Sequence, residues 1–131
     1  MNPSVNWLAV VVAALSAFVL GALWYGPLFG EAWMEENDFT EDDLTADNMT
    51  VIYGTAFVLE FIIAVNLAFF VGDAAIREGA LYGFLVGFGW IAMAMGVNAL
   101  FSRSTVRLWL IDSFYFVVSL TLMGVILAAW P

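Results

Sequence analysis

The chain has no cysteine, no histidine and no lysine, and each absence closes off a class of chemistry. Without cysteine there is no disulfide framework and no thiolate nucleophile. Without histidine, the commonest metal ligand and the commonest general base near neutral pH are gone. Only three bases occur, Arg77, Arg103 and Arg107, which is far from the clustered cationic surface that nucleic acid requires. No glycine-rich phosphate cradle and no serine beside a base stand in for them. The expectation is a protein that is not an enzyme, with no metal, no other cofactor and no nucleic-acid partner.

Apolar residues are what the chain has in excess. Of 131 residues 64% are hydrophobic and 11% charged, with a mean hydropathy of +0.97, against about 45–50% and about 25% in soluble domains. Such a chain cannot cover itself with polar groups, so the lipid bilayer is its expected solvent and first partner. Four apolar runs, at about 7–29, 51–72, 79–101 and 106–130, are each long enough at about 1.5 Å per residue to cross a core about 30 Å thick. The turns at Asp73–Glu78 and Ser102–Thr105 are short, which sets the third run antiparallel to both sequence neighbours. The expected fold is all-α: a polytopic transmembrane four-helix bundle with short turns and one acidic interfacial loop or helix, forming a single domain over residues 1–131. The first run has no positive leader before it, so it reads as a retained helix.

The net charge of −9 is concentrated, with eight of the twelve acids between Glu31 and Asp47. Residues 31–50 therefore read as an acidic loop. Within it Phe39-Thr-Glu-Asp-Asp-Leu44 carries the marks of a helix start: Thr40 as cap, Asp43 in the third helical position and Phe39 positioned to staple onto Leu44. A calcium loop counted from Asp38 fails, because its sixth position is Asp43 instead of glycine and its twelfth is Met49 instead of glutamate. Four spans put this segment on the side of Arg103 and Arg107, opposite Arg77, which votes narrowly for a cytoplasmic acidic loop.

Three groups of residues are candidates for function. Trp24, Tyr25, Pro27, Gly30 and Trp33 form an aromatic motif suited to the membrane interface, where Pro27 loosens the helix as it leaves lipid. Ala13, Ala17 and Gly21, then Gly79, Gly83 and Gly87, repeat at four-residue spacing and form smooth faces for close helix packing, inside the bundle or between protomers. The third group is polar. Glu60 lies about 13–14 Å and Asp112 about 9 Å in from the acidic-loop end by helical rise. Asn98 lies just inside the same end, and Asp112, Tyr115 and Ser119 share one stripe of the last helix. A charge at the bilayer centre costs about 2.5–3.5 kcal/mol on insertion scales, so these residues either glue helices together or form a site. Glu60 shares its stripe with Tyr53, Ala64 and Leu67; Asn98 or Tyr115 are its expected hydrogen-bonding partners, and Arg107 is expected to reach towards Asp112.

Leu23 to Trp33, Phe39 to Leu44, the Asn98-Ala-Leu-Phe turn and Leu110-Ile-Asp-Ser-Phe-Tyr115, taken in order and at these separations, resemble the DUF1761 family. The resemblance covers nearly the whole chain. It implies a small four-helix membrane protein of bacteria or archaea, hence a multi-pass protein of a prokaryotic inner (cytoplasmic) membrane, and brings no biochemical activity with it. Where the family pattern often has Asn and Tyr-His, this chain has Asp112 and Tyr115-Phe116, which removes any histidine-dependent role.

Two functions are compatible with these features. One is a non-catalytic integral membrane protein acting through helix packing, as a homo-oligomer or an accessory subunit of a membrane complex. The other is a small transporter or channel in which Glu60, with Asp112 and Tyr115, binds a proton, a cation or a small polar solute.

Overall fold

A computed structural model describes residues 5–40, 42 and 49–131. Helix α1 runs Trp7–Leu28, α2 Gly30–Asn37, α3 Met49–Val71, α4 Ile76–Ser102 and α5 Val106–Ala129; there is no strand among the described residues. All but α2 are long and apolar enough to cross a membrane, so the chain is a membrane-embedded helical bundle.

Each helix boundary has a local cause. Asn6 caps α1 by accepting from the Ala9 N–H at 3.1 Å, and its amide donates to the Trp130 and Pro131 carbonyls at 3.2 and 3.3 Å. This ties the start of the first span to the end of the last. At the other end of α1, Pro27 has no N–H and crowds the carbonyl four residues back. The winding opens into a π-helix over Trp24–Leu28, with the Phe29 N–H reaching the Trp24 carbonyl at 2.7 Å. Gly30 then lies so close to the Tyr25 carbonyl that any side chain there would collide with it.

Of the two forms expected for the acidic segment, loop or helix, residues 30–37 take the helix. Glu31 sits in the first turn of α2, where a negative charge suits the positive end of the helix dipole. The helix closes with Asp38 in the left-handed region at φ 56, the Asp38 N–H to the Glu35 carbonyl and the Phe39 N–H to the Met34 carbonyl. That pairing is a Schellman motif, and its usual hydrophobic contact is present as the Phe39 ring against Trp33 at 5.4 Å. The cap and staple expected at Thr40, Asp43 and Leu44 need Asp43 and Leu44, which lie outside the described residues.

The turn expected at Asp73–Glu78 is shorter than that. Gly72, at φ 53, ends α3, and α4 already begins at Ile76 with Glu78 in its first turn. The other turn is capped by Thr105, which accepts from the Leu108 N–H at 3.1 Å and donates to Glu36 at 2.7 Å. Arg103 precedes it at φ 61.

The core gathers around α5, half of whose span is buried against 11% for α4. One side of α5 takes α4 through the glycine ladder. A methyl at Gly79 would strike Gly124 and Ala128, one at Gly83 the Leu120 backbone, and one at Gly87 the Val117 backbone. Another side takes α1, whose Ala9, Val10, Ala13, Ala14 and Ala17 are fully buried. The smooth faces of both helices are therefore occupied within the chain, and their number is no argument for a second protomer. Helix α3 packs mainly on α1 and presents Glu60, Ala64, Leu67 and Val71 inward. Tyr53, expected on that stripe, is 55% exposed and meets Phe18 edge-on at 6.0 Å.

Backbone contact this close leaves no slack. Gly83→Ala is expected to destabilise the detergent-solubilised protein by about 1–3 kcal/mol through overpacking. Gly54→Ala, where a methyl enters open space, should stay within about 0.5 kcal/mol; thermal unfolding of the two variants beside the parent checks both.

Candidate functional site

Three spans bring polar atoms together in the half of the bundle nearer the acidic segment. Helix α5 supplies Asp112 and Tyr115, three residues apart and so on one face. Tyr115 is buried, and its hydroxyl lies 2.7 Å from the Ala17 carbonyl of α1 and 2.7 Å from Oε1 of Glu60 on α3. Ala17 and Gly21 make room for the phenol, whose oxygen would stand 3.4 Å from a methyl at Gly21. One tyrosine thus ties the first, second and fourth spans.

A second carboxyl–phenol pair stands beside it. The Tyr25 hydroxyl donates to Asp112 Oδ1 at 2.8 Å, and its ring lies 5.6 Å from that of Tyr115. The π-turn around Pro27 helps direct the neighbouring Trp24 and Tyr25 towards the same helix. The Trp24 indole N–H donates to the Ile111 carbonyl at 2.8 Å. Trp33 closes the group from outside, edge-on to Tyr25 at 5.5 Å. The motif expected at the interface therefore also binds the end of α1 to α5; Pro27 itself is exposed.

Other expected members are placed elsewhere. Asn98 is exposed on α4 and does not enter the group. Ser119 is buried but is satisfied by its own helix, donating to the Phe116 carbonyl at 3.2 Å. Arg107 turns away from Asp112 and pairs with Glu35 at 3.6 Å, both side chains more than half exposed. An exposed pair of this kind contributes about 0–1 kcal/mol. Asn66, the other strongly polar residue within α3, six positions after Glu60 and so on a different face, is exposed and donates to the Ile62 carbonyl one turn back at 2.9 Å.

Sequence reasoning missed several residues. The sequence sets Tyr25 at the end of α1 from which Asp112 is counted, but gives no sign that its hydroxyl pairs with Asp112. Gly124, with Ala128 four residues on, is the small-residue pair facing the Gly79 end of the ladder. Trp109 donates its indole N–H to the Ala92 carbonyl at 2.9 Å, where the π-helical stretch Leu85–Ala92 of α4 ends. Ser113 is fully buried with no partner for its hydroxyl among the described residues, and nothing in the sequence pattern marks it.

Chemically, the arrangement joins helices and offers oxygen atoms to a proton. No cluster of three or more acidic side chains able to hold a metal ion occurs among the described residues. Removing the Tyr115 hydroxyl would leave both oxygens of a buried carboxyl unpaired, so Tyr115→Phe is expected to cost about 1–3 kcal/mol. In a double-mutant cycle with Glu60→Leu the two losses should fall short of additivity by more than about 0.5 kcal/mol, measured by thermal unfolding in detergent.

A family model described as "Protein of unknown function (DUF1761)" matches residues 8–128. No curated protein and no solved structure matches the chain.

Proposed function

The chain belongs to the DUF1761 family, and we propose that this member is a non-catalytic integral membrane protein that works through helix packing, as a homo-oligomer or as an accessory subunit of a larger membrane complex. The support comes from α4, and from one residue on it above all. Trp90 lies about 18–21 Å from either end of α4 by helical rise, yet it is 62% exposed. Its ring touches Phe70 edge-on at 6.0 Å, and its indole N–H has no acceptor among the described residues. Tryptophan settles at headgroup depth when it faces lipid; in mid-span its N–H faces hydrocarbon that cannot accept a hydrogen bond. A neighbouring helix supplies the acceptor.

Two further features of α4 agree with an occupant on this surface. Gly89, next to Trp90, opens on empty space, so a neighbouring backbone can approach there. Asn98 is exposed nearer the end of the span. On the other three spans, by contrast, Tyr25 engages Asp112 and Tyr115 engages Glu60 across helices, which fits a scaffold better than a path for solute.

The chain's lack of cysteine makes the test clean. A single Gly89→Cys variant carrying a benzophenone maleimide, irradiated in native membranes so that the label inserts into a neighbouring C–H bond, is expected to yield a cross-linked dimer if the partner is a second copy, or an adduct of another mass if it is another subunit. Val19→Cys, exposed on α1, serves as the collision control. Cysteines at positions 89, 93 and 97 that all remain strictly monomeric would overturn the proposal.

The same reading places the protein in the inner membrane of a prokaryote with the acidic segment in the cytoplasm, supported by Arg103 and Arg107 at that end against Arg77 at the other. Asp38→Cys should then react with a membrane-impermeant maleimide only after intact cells are disrupted; labelling of intact cells reverses the orientation.

A further inference from the structure

The proton count around Tyr115 carries an inference independent of what covers α4. The Tyr115 hydroxyl has one proton and two oxygen neighbours, the Ala17 carbonyl and Glu60 Oε1, each at 2.7 Å. A helix carbonyl has no proton to give. If Glu60 were a carboxylate, one of these two contacts would bring acceptor against acceptor, with no proton between them. Both contacts are hydrogen bonds at once only if Glu60 brings the second proton.

The surroundings point the same way. Glu60 is 8% exposed, and its Oε2 is buried with no partner among the described residues. Of the ionisable groups around it, Tyr115 on α5 contacts it directly, and Tyr25 on α1 packs against the Tyr115 ring with its own hydroxyl given to Asp112. Helix α4 sends none of its own, since Asn98 is exposed and Tyr82 lies in its other half, also exposed. Among the described residues no cation faces the carboxyl. Arg107 is engaged with Glu35 at the surface, Arg103 sits in the exposed turn, and Arg77 is at the opposite end of the bundle. A buried carboxylate with a single hydrogen bond and no counter-ion is the arrangement that low-polarity surroundings penalise most.

We propose that Glu60, Tyr115 and the Ala17 carbonyl form an intramembrane proton-binding site: the Glu60 carboxylic acid donates to the Tyr115 oxygen, Tyr115 donates to the Ala17 carbonyl, and Glu60 Oε2 remains an open acceptor. The ligand is a single proton. Its loss leaves one proton for two oxygen–oxygen contacts, so release weakens the tie between α1, α3 and α5. Occupancy of the site and packing of the three spans are therefore linked.

Infrared spectroscopy of the full chain in lipid vesicles near neutral pH, with glutamate isotope-labelled at the side-chain carboxyl, tests this directly. The expected result is one protonated-acid carbonyl band that shifts with the label and is lost in Glu60→Gln. In Tyr115→Phe the band should move to higher frequency, because the acid loses its acceptor. The labelled parent and Tyr115→Phe suffice if Glu60→Gln does not fold. Label-sensitive carboxylate bands with no acid band would overturn the site, and an acid band that stays in place in Tyr115→Phe would overturn the stated hydrogen-bond order. Neither result depends on whether Gly89→Cys cross-links.

Discussion

Hydrocarbon offers no hydrogen bonds, and that constraint shapes most of this molecule. Every N–H and C=O within a span must find its partner in the protein, so the chain is helical wherever it crosses. The same constraint acts on side chains. Tyr115, Tyr25, Trp24 and Trp109 each carry a donor on a large apolar body, and each delivers it to an atom of another helix. Several of these acceptors are backbone carbonyls, which can take a second donor without giving up the helical bond. Polar contact and apolar packing are thus supplied by the same rings.

Helix α5 is where these demands meet. Its two long sides are treated differently. Towards α4 the fit is one of absence, with glycines on one helix receiving the backbone of the other. Towards α1 and α3 it is one of presence, with Tyr115 filling the space that Ala17 and Gly21 leave. Dispersion at close range holds the first contact, and directional hydrogen bonds set the second. That division explains how a short chain holds three helices to one without a large core. It also explains why α4, bound along one stripe, keeps so much of its surface free.

The π-helical stretches sit where contacts of this kind need an adjusted direction. Around Pro27 the wider winding has a covalent cause, and it accompanies the paired engagement of Trp24 and Tyr25 with α5. In α4 the stretch Leu85–Ala92 contains two glycines and ends at the carbonyl that Trp109 approaches. Short π insertions recur at functional sites, and here both border the residues that tie α5 to its neighbours.

Composition and the four apolar runs by themselves determined the solvent, the number of long helices and their alternating direction, because those follow from the length of an apolar run and the shortness of turns. The stripe of Asp112 and Tyr115 and the meeting of Glu60 with Tyr115 were also legible, since helical period and depth place them on one level. Tertiary structure alone decided what each polar atom touches: Tyr25 instead of Arg107 at Asp112, nothing of the group at Asn98, and α5 instead of a second protomer on the Gly79, Gly83 and Gly87 ladder. The physical reason is that periodicity gives a residue's depth and its angle about its own helix, whereas a hydrogen bond or a backbone contact depends on how neighbouring helices are rotated against one another. Local sequence carries no measure of that rotation.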